Sequence, residues 1–174
     1  DHVFNAVSSI LRSADISYVK WDFNRNLTEV GSAALPADRQ KEVFHRYVLG
    51  VYDLAERLTS TFPDILFEGC SGGGGRFDCG MFYYFPQIWT SDDTDAYMRT
   101  RIQYGTSLAY PLSALSCHVS ICPNHQTGRT SPFATRAAIA HLGATGYELD
   151  TARMLAEEVA AIPAQVEAYH AMEK

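Results

Sequence analysis

The chain has 174 residues, 47% of them hydrophobic, and carries 20 Asp and Glu against 14 Lys and Arg for a formal net charge of −6, enough apolar material for the core of one domain. The basic residues stand singly rather than in runs or stripes, which argues against a nucleic-acid partner. No apolar stretch nears the roughly 20 residues that cross a bilayer, so no membrane partner is expected and the chain reads as soluble. It opens on Asp1 inside a helical pattern, so its start is expected to lie further upstream and the lack of a leader carries no weight. The spacings of Cys70, Cys79, Cys117 and Cys122 match no common zinc template. So few cysteines fit a reducing, cytoplasmic compartment better than a disulfide scaffold.

In chain order, residues 3–14 place Val3, Val7, Ile10, Leu11 and Ala14 on one face of a short amphipathic helix. Residues 16–22 are β-branched and aromatic and end in Asp22, which predicts a buried strand with a polar tip. After a loop containing Gly31 and Pro36, Val43, Phe44, Tyr47, Val48, Val51, Leu54, Ala55 and Leu58 recur at helical spacing until Pro63. A second strand is expected over residues 64–68, running into Gly69-Cys70-Ser71-Gly72-Gly73-Gly74-Gly75. A short strand over 87–91, a helix from near Asp95 and a strand over 114–121 come next. A helix over 133–141, a strand around 146–149 and a helix over 151–168 complete the alternation. Alternating strands and helices, with polar residues at strand C-termini, predict an α/β class with a parallel sheet. About five strands are too few to close an eight-stranded barrel, which typically needs ~250 residues. The expectation is an incomplete barrel, with residues 1–174 forming part of one domain.

Acidic residues follow two strands: Asp22, and the group Asp92, Asp93 and Asp95. In a barrel such positions converge on one catalytic face. A pair of carboxylates there suits glycoside hydrolysis, one attacking the anomeric carbon and the other giving and then taking a proton. Lys20 beside Asp22 would hold that carboxylate ionised. The competing reading makes these acids helix N-caps, since Thr-Ser-Asp ahead of a helix is good capping chemistry. Spacing does not decide among Asp92, Asp93 and Asp95. The glycine run allows close backbone approach by a ligand, while a nucleotide site is disfavoured because no Walker Lys-Ser or Lys-Thr follows it. Of Trp21, Phe77, Phe82, Tyr83, Tyr84, Phe85 and Trp89, one or two are expected to touch a sugar ring. His118 and His125 near Cys117 and Cys122 fit no metal motif, and His141 and Glu148 read as packed, hydrogen-bonded groups.

Three ordered motifs are more specific: Lys20-Trp21-Asp22-Phe23-Asn24-Arg25, Glu68-Gly69-Cys70-Ser71-Gly72-Gly73, and Trp89-Thr90-Ser91-Asp92-Asp93-Thr94-Asp95-Ala96. Together with Thr135-Arg136-Ala137-Ala138, Gly143 and Gly146-Tyr147-Glu148-Leu149-Asp150, they resemble the family 36 glycoside hydrolases, mainly microbial α-galactosidases acting on melibiose and raffinose-type sugars. The resemblance covers nearly the whole chain. It implies an incomplete TIM (β/α)8 barrel running from about strand 4 to strand 8, with the rest of a longer enzyme lying outside this sequence. It also implies Asp22 as nucleophile and Asp92 as acid/base. Lys20, Asn24, Cys70 and Gly72 would then bind the sugar, and Trp89 would be an aromatic wall beside the acid/base.

The implied activity is retaining hydrolysis of terminal α-galactosides by double displacement, which places the carboxyl groups about 5–5.5 Å apart. It calls for no metal and no organic cofactor. The implied partner is a small oligosaccharide, and the longer enzyme is expected to be a homo-oligomer. A raffinose-type galactosyl transferase would share the same first step. A non-catalytic carbohydrate-binding half-barrel would share only the fold.

Overall fold

The structure is a computed structural model and describes residues 1–24 and 27–172. Arg25, the last residue of the first motif, lies outside the described residues. The chain falls into two compact units, the first of residues 1–71 and 76–86 and the second of residues 72–75 and 87–174.

The first unit contains α1 (His2–Leu11), β1 (Tyr18–Asp22), a 3-10 segment (Ala37–Glu42), α2 (Val43–Thr61), β2 (Leu66–Cys70) and α3 (Cys79–Tyr84). Strands β1 and β2 are parallel, with Lys20 opposite Glu68 and Asp22 opposite Cys70. Phe67 of β2 stacks on Phe85, 5.5 Å between centroids, and both are buried with Leu11, Ala55, Leu58 and Met81.

Three expectations need adjusting here. Helix α1 stops at Leu11 rather than residue 14, because the Ser13 amide and hydroxyl both turn back to the Ile10 carbonyl. Its buried residues are Ser8 and Leu11, whereas Ile10 is 62% exposed. Strand β2 runs two residues later than expected, since Ile65 donates to the Phe62 carbonyl in a turn around Pro63. Gly69 and Cys70 are therefore strand residues. On α2 the apolar stripe is buried only at its C-terminal half, and Phe44 and Val48 stay exposed. Helix α3 is too short for a periodic signal, but Asp78 caps it by accepting from the Gly80 and Met81 amides.

The second unit contains β3 (Gln87–Trp89), α4 (Ala96–Ser107), a 3-10 turn (Leu112–Ala114), β4 (Leu115–Ser120), α5 (Phe133–Ala140), β5 (Ala144–Glu148), a 3-10 turn (Thr151–Arg153) and α6 (Ala156–His170). Its strands are parallel, β3 on β4 and β4 on β5, with Ile88 opposite Leu115 and Ser120 opposite Glu148. Ile88, Leu115, Cys117, Val119, Ala137 and Ala140 form the core. Two buried arginines tie helices to strand ends. Arg99 of α4 donates to the carbonyls of Ser91 and Ser116, and Arg136 of α5 donates to the Ser120 carbonyl and pairs with Glu158. Each satisfies backbone acceptors that helix burial would otherwise strand. The last helix starts at residue 156 rather than 151, after a 3-10 turn held by Asp150, and continues through Pro163.

Candidate active site

Side chains alternate along a strand, so Lys20, Asp22, Glu68 and Cys70 share one face of the β1–β2 pair. Glu68 is fully buried and its carboxylate lies 3.9 Å from Lys20 Nζ. Asp22 is exposed at the strand tip, and Asn24 Nδ2 donates to its Oδ2 at 2.8 Å. The turn after Asp22 is fixed at Phe23. Its amide donates to the Cys70 carbonyl, and its own carbonyl accepts from Ser71 Oγ and Arg76 Nη1, each at 2.7 Å. The first unit thus contains Lys20, Asp22 and Cys70 on its strands and Asn24 just past β1, the four residues of this unit that the resemblance singles out.

An apolar cavity of about 310 Å³ also lies in this unit, lined by Trp21, Phe23, Tyr47, Leu54, Leu58 and Phe85 among others. Sugar hydroxyls would find almost no partners there, so size does not make it the sugar site.

In the second unit the acidic group resolves into three roles. Asp95 is 1% exposed and caps α4, accepting from the Tyr97 and Met98 amides, while its carboxylate also takes Thr127 Oγ1 at 2.6 Å and Arg129 Nη1 at 2.9 Å. Burial pushes its pKa up, but the Thr127 bond, the Met98 amide, the Arg129 charge and the Tyr97 amide together hold it below the usual value. Asp93 accepts from the Asp95 amide, and its own amide donates to Ser91 Oγ. Asp92 is the exposed carboxylate of the three, and Trp89 Nε1 donates to its Oδ1 at 3.1 Å. The capping reading therefore holds for Asp95 and does not describe Asp92.

Trp89, expected as an aromatic wall beside the acid/base, does lie against Asp92, with its ring packed inward in this chain. It is 3% exposed, its ring stacked 4.5 Å from the His118 imidazole and 4.4 Å from the Arg99 guanidinium. What it offers the site is its indole N–H. His118 in turn pairs with Glu148 at 2.5 Å. Glu148 is exposed rather than set in apolar surroundings, because strand β5 ends there. His141 is buried as expected, 5.4 Å from the Tyr169 ring. Among the described residues, no group of three or more His, Cys, Asp or Glu is placed to hold a metal ion.

The glycine run meets the Asp92 loop directly. Gly72 and Gly73 have φ of +54° and +75°, and a Cβ on Gly73 would lie 2.7 Å from Ser91 Cα and 2.8 Å from Asp92 N. On the other side stands a residue the motifs do not reveal. Gln126 Nε2 donates to the Asp92 carbonyl at 2.7 Å, and its Oε1 accepts the Thr94 amide at 2.8 Å. The only sequence signal for it is a polar, amide-rich loop directly after β4, where a barrel carries its chemistry.

Parallel strands followed by helices, with polar groups at the strand C-termini, define an α/β chain that is part of a TIM (β/α)8 barrel. The chain belongs to the Melibiase family, whose profile matches residues 1–174. It is 55% identical over 169 residues to alpha-galactosidase 1 of Pediococcus pentosaceus, covering 97% of this chain and 23% of that protein. The crystal structure of the GH36 alpha-galactosidase AgaA from Geobacillus stearothermophilus superposes with a TM-score of 0.94 at 55% identity, over 98% of this chain and 24% of that one. Variants of that enzyme have been solved in complex with raffinose and with stachyose at the same TM-score, each at 54% identity over 98% of this chain and 24% of theirs. The chain spans about a quarter of the length of the curated relatives it matches.

Proposed function

We propose that the protein carrying this chain is a retaining α-galactosidase that removes terminal α-galactose from oligosaccharides of the melibiose and raffinose type. The observation that carries the reading is the state of the carboxylates. Asp22 and Asp92 are exposed and each held by one neutral donor, Asn24 or Trp89, whereas Asp95 is consumed as a buried cap. Relatives named alpha-galactosidases support the substrate class, and the raffinose and stachyose complexes of one of them support its size. A cytoplasmic homo-oligomer belongs to the same proposal, supported by the family resemblance and the low cysteine count.

In the proposed sequence, an Asp22 oxygen attacks the anomeric carbon while the bond to the leaving oxygen breaks, and Asp92 gives that oxygen its proton. The product is a galactosyl ester on Asp22. Asp92, now a carboxylate, takes a proton from water as the water oxygen attacks the same carbon and the ester bond breaks. Galactose leaves with its starting configuration. Lys20, Asn24, Cys70 and Gly72 are proposed to bind the galactose hydroxyls, with Glu68 fixing the Lys20 ammonium.

Asp22→Ala in the full-length protein tests this. Turnover of an aryl α-galactoside should vanish with the fold intact, and azide should restore part of it by entering the vacated space. Wild-type turnover in a clean Asp22→Ala preparation would end the reading.

A further inference from the structure

We propose that Gln126 is a positioning residue for the acid/base, acting through the backbone of Asp92; this rests on the reading of Asp92 given above. Asp92 lies three residues past the end of β3, on a loop that no strand ladder holds. Such a loop needs outside partners to keep a carboxylate aimed, and a misplacement of ~1 Å costs on the order of 10²-fold in rate.

The segment after β4 supplies those partners. The single amide group of Gln126 spans the turn, its nitrogen donating to the Asp92 carbonyl and its oxygen accepting from the Thr94 amide and, at 3.3 Å, the Thr94 hydroxyl. The uncharged amide supplies a donor and an acceptor from two adjacent atoms. Asn124 then holds both ends. Its Nδ2 donates to Thr94 Oγ1 at 2.9 Å, and its Oδ1 accepts from the amides of Gln126 and Thr127. Thr127 and Arg129 of the same segment fix Asp95. Asn124 is 6% exposed, so the base of the clamp is buried while Gln126 reaches out to the loop. Gly73 closes the other side with no room for a side chain. Between Gly73 and Gln126, the Asp92 backbone has little freedom. The Asp92 side chain is thereby aimed through its backbone, by contacts on either side of its loop.

The test uses full-length enzyme and a series of aryl and alkyl α-galactosides whose leaving groups run from activated to poor. Gln126→Met keeps the length of the side chain without its hydrogen bonds. It should lower kcat/KM for poor leaving groups about tenfold more than for activated ones, a fraction of the ~10²–10⁴ that general acid catalysis contributes. A general loss of folded protein would lower all substrates alike. In an Asp92→Ala background the same change should add no leaving-group dependence, because coupled residues are not additive. Gln126→Glu, which keeps the acceptor for Thr94 but loses the donor to Asp92, must show the same selectivity, and it serves alone if Gln126→Met does not fold. Equal losses across the series, with Asp92→Ala still selective, would overturn the role of Gln126 and leave Asp92 standing. A flat series for Asp92→Ala itself would remove the acid/base assignment and this proposal with it.

Discussion

Gly73→Ala is the most direct probe of how tightly the glycine run meets the Asp92 loop. A Cβ at this position would lie 2.7 Å from Ser91 Cα, 2.8 Å from Asp92 N and 3.0 Å from Ser91 C, all backbone atoms. Carbon atoms pack at about 3.5 Å or more, so one side must yield by roughly 0.8 Å. The φ of +75° adds about 1–2 kcal/mol for any residue with a side chain, and the crowding adds about 1–3 kcal/mol. A loss of about 2–5 kcal/mol in stability is expected, together with displacement of Asp92 and a fall of ten- to a hundredfold in kcat/KM for poor leaving groups. Gly72→Ala is the comparison. Its φ of +54° brings strain, but nothing lies within 4 Å of the new Cβ, so it should cost only about 1–2 kcal/mol. If the galactose approaches Gly72 closely, its KM should rise. Thermal melts and leaving-group series on both full-length variants make the measurement. Equal destabilisation of the two, or unchanged kinetics in Gly73→Ala, would refute the contact argument.

Asp92→Ala should damage substrates with poor leaving groups by ~10²–10⁴-fold and activated ones far less, and equal damage would remove Asp92 as the proton donor and leave Asp93 as the candidate among the three acids, since Asp95 is consumed as a cap. Trp89→Phe keeps a ring against His118 but removes the donor to Asp92, so it should lower kcat for poor leaving groups several-fold with little change in KM; a raised KM alone would restore Trp89 to the sugar wall. Asp95→Asn retains a cap but loses the ion pair to Arg129, which is 44% exposed, and should cost about 1–2 kcal/mol near neutral pH. Because the folded Asp95 pKa is depressed below 3.8, its stabilisation is present above that value and disappears as pH falls through the folded one. The gap between wild type and Asp95→Asn should therefore close in acid melts, and a constant gap would contradict the depressed carboxyl.

Hydrophobic periodicity makes the long elements legible in the sequence. Helix α2 and the strands ending at Asp22 and Ser120 lie close to where the apolar and β-branched runs put them, although the apolar stripe of α2 is buried only in its C-terminal half and β4 is buried on both faces. Boundaries slip where local hydrogen bonds decide, at Ser13 closing α1 and at the turn from Phe62 to Ile65 delaying β2. The three acids after β3 are indistinguishable by spacing, since all are good caps, and only burial separates Asp95 from Asp92. A strand residue beside a catalytic loop reads the same in sequence whether its ring faces ligand or core, and the packing of the Trp89 ring on His118 and Arg99 could not be read there. Gln126 and the His118–Glu148 pair are hard to read in the sequence, for their partners lie about thirty positions away, met through strand register for His118 and Glu148 and through a loop-to-loop contact for Gln126 and Asp92.

The two proposed carboxylates also differ in how the fold supports them, and the difference explains where the extra polar residues sit. Asp22 is the last residue of a strand, in register with Cys70, so the ladder itself places its backbone and one side-chain donor from Asn24 completes the hold. Asp92 lies beyond its strand, where no ladder reaches. Its hold has to be assembled from Trp89, Gly73 and Gln126, and Ser91 Oγ accepts the neighbouring Asp93 amide. A nucleophile that forms a bond at one carbon is served by a stiff strand end. A group that gives a proton and later takes one must keep its place while its charge changes, and neutral donors and backbone contacts do this without tying it to one charge state. Substitutions in the Asn124–Gln126 clamp should therefore impair proton transfer and spare nucleophilic attack, which is the asymmetry that a leaving-group series reads.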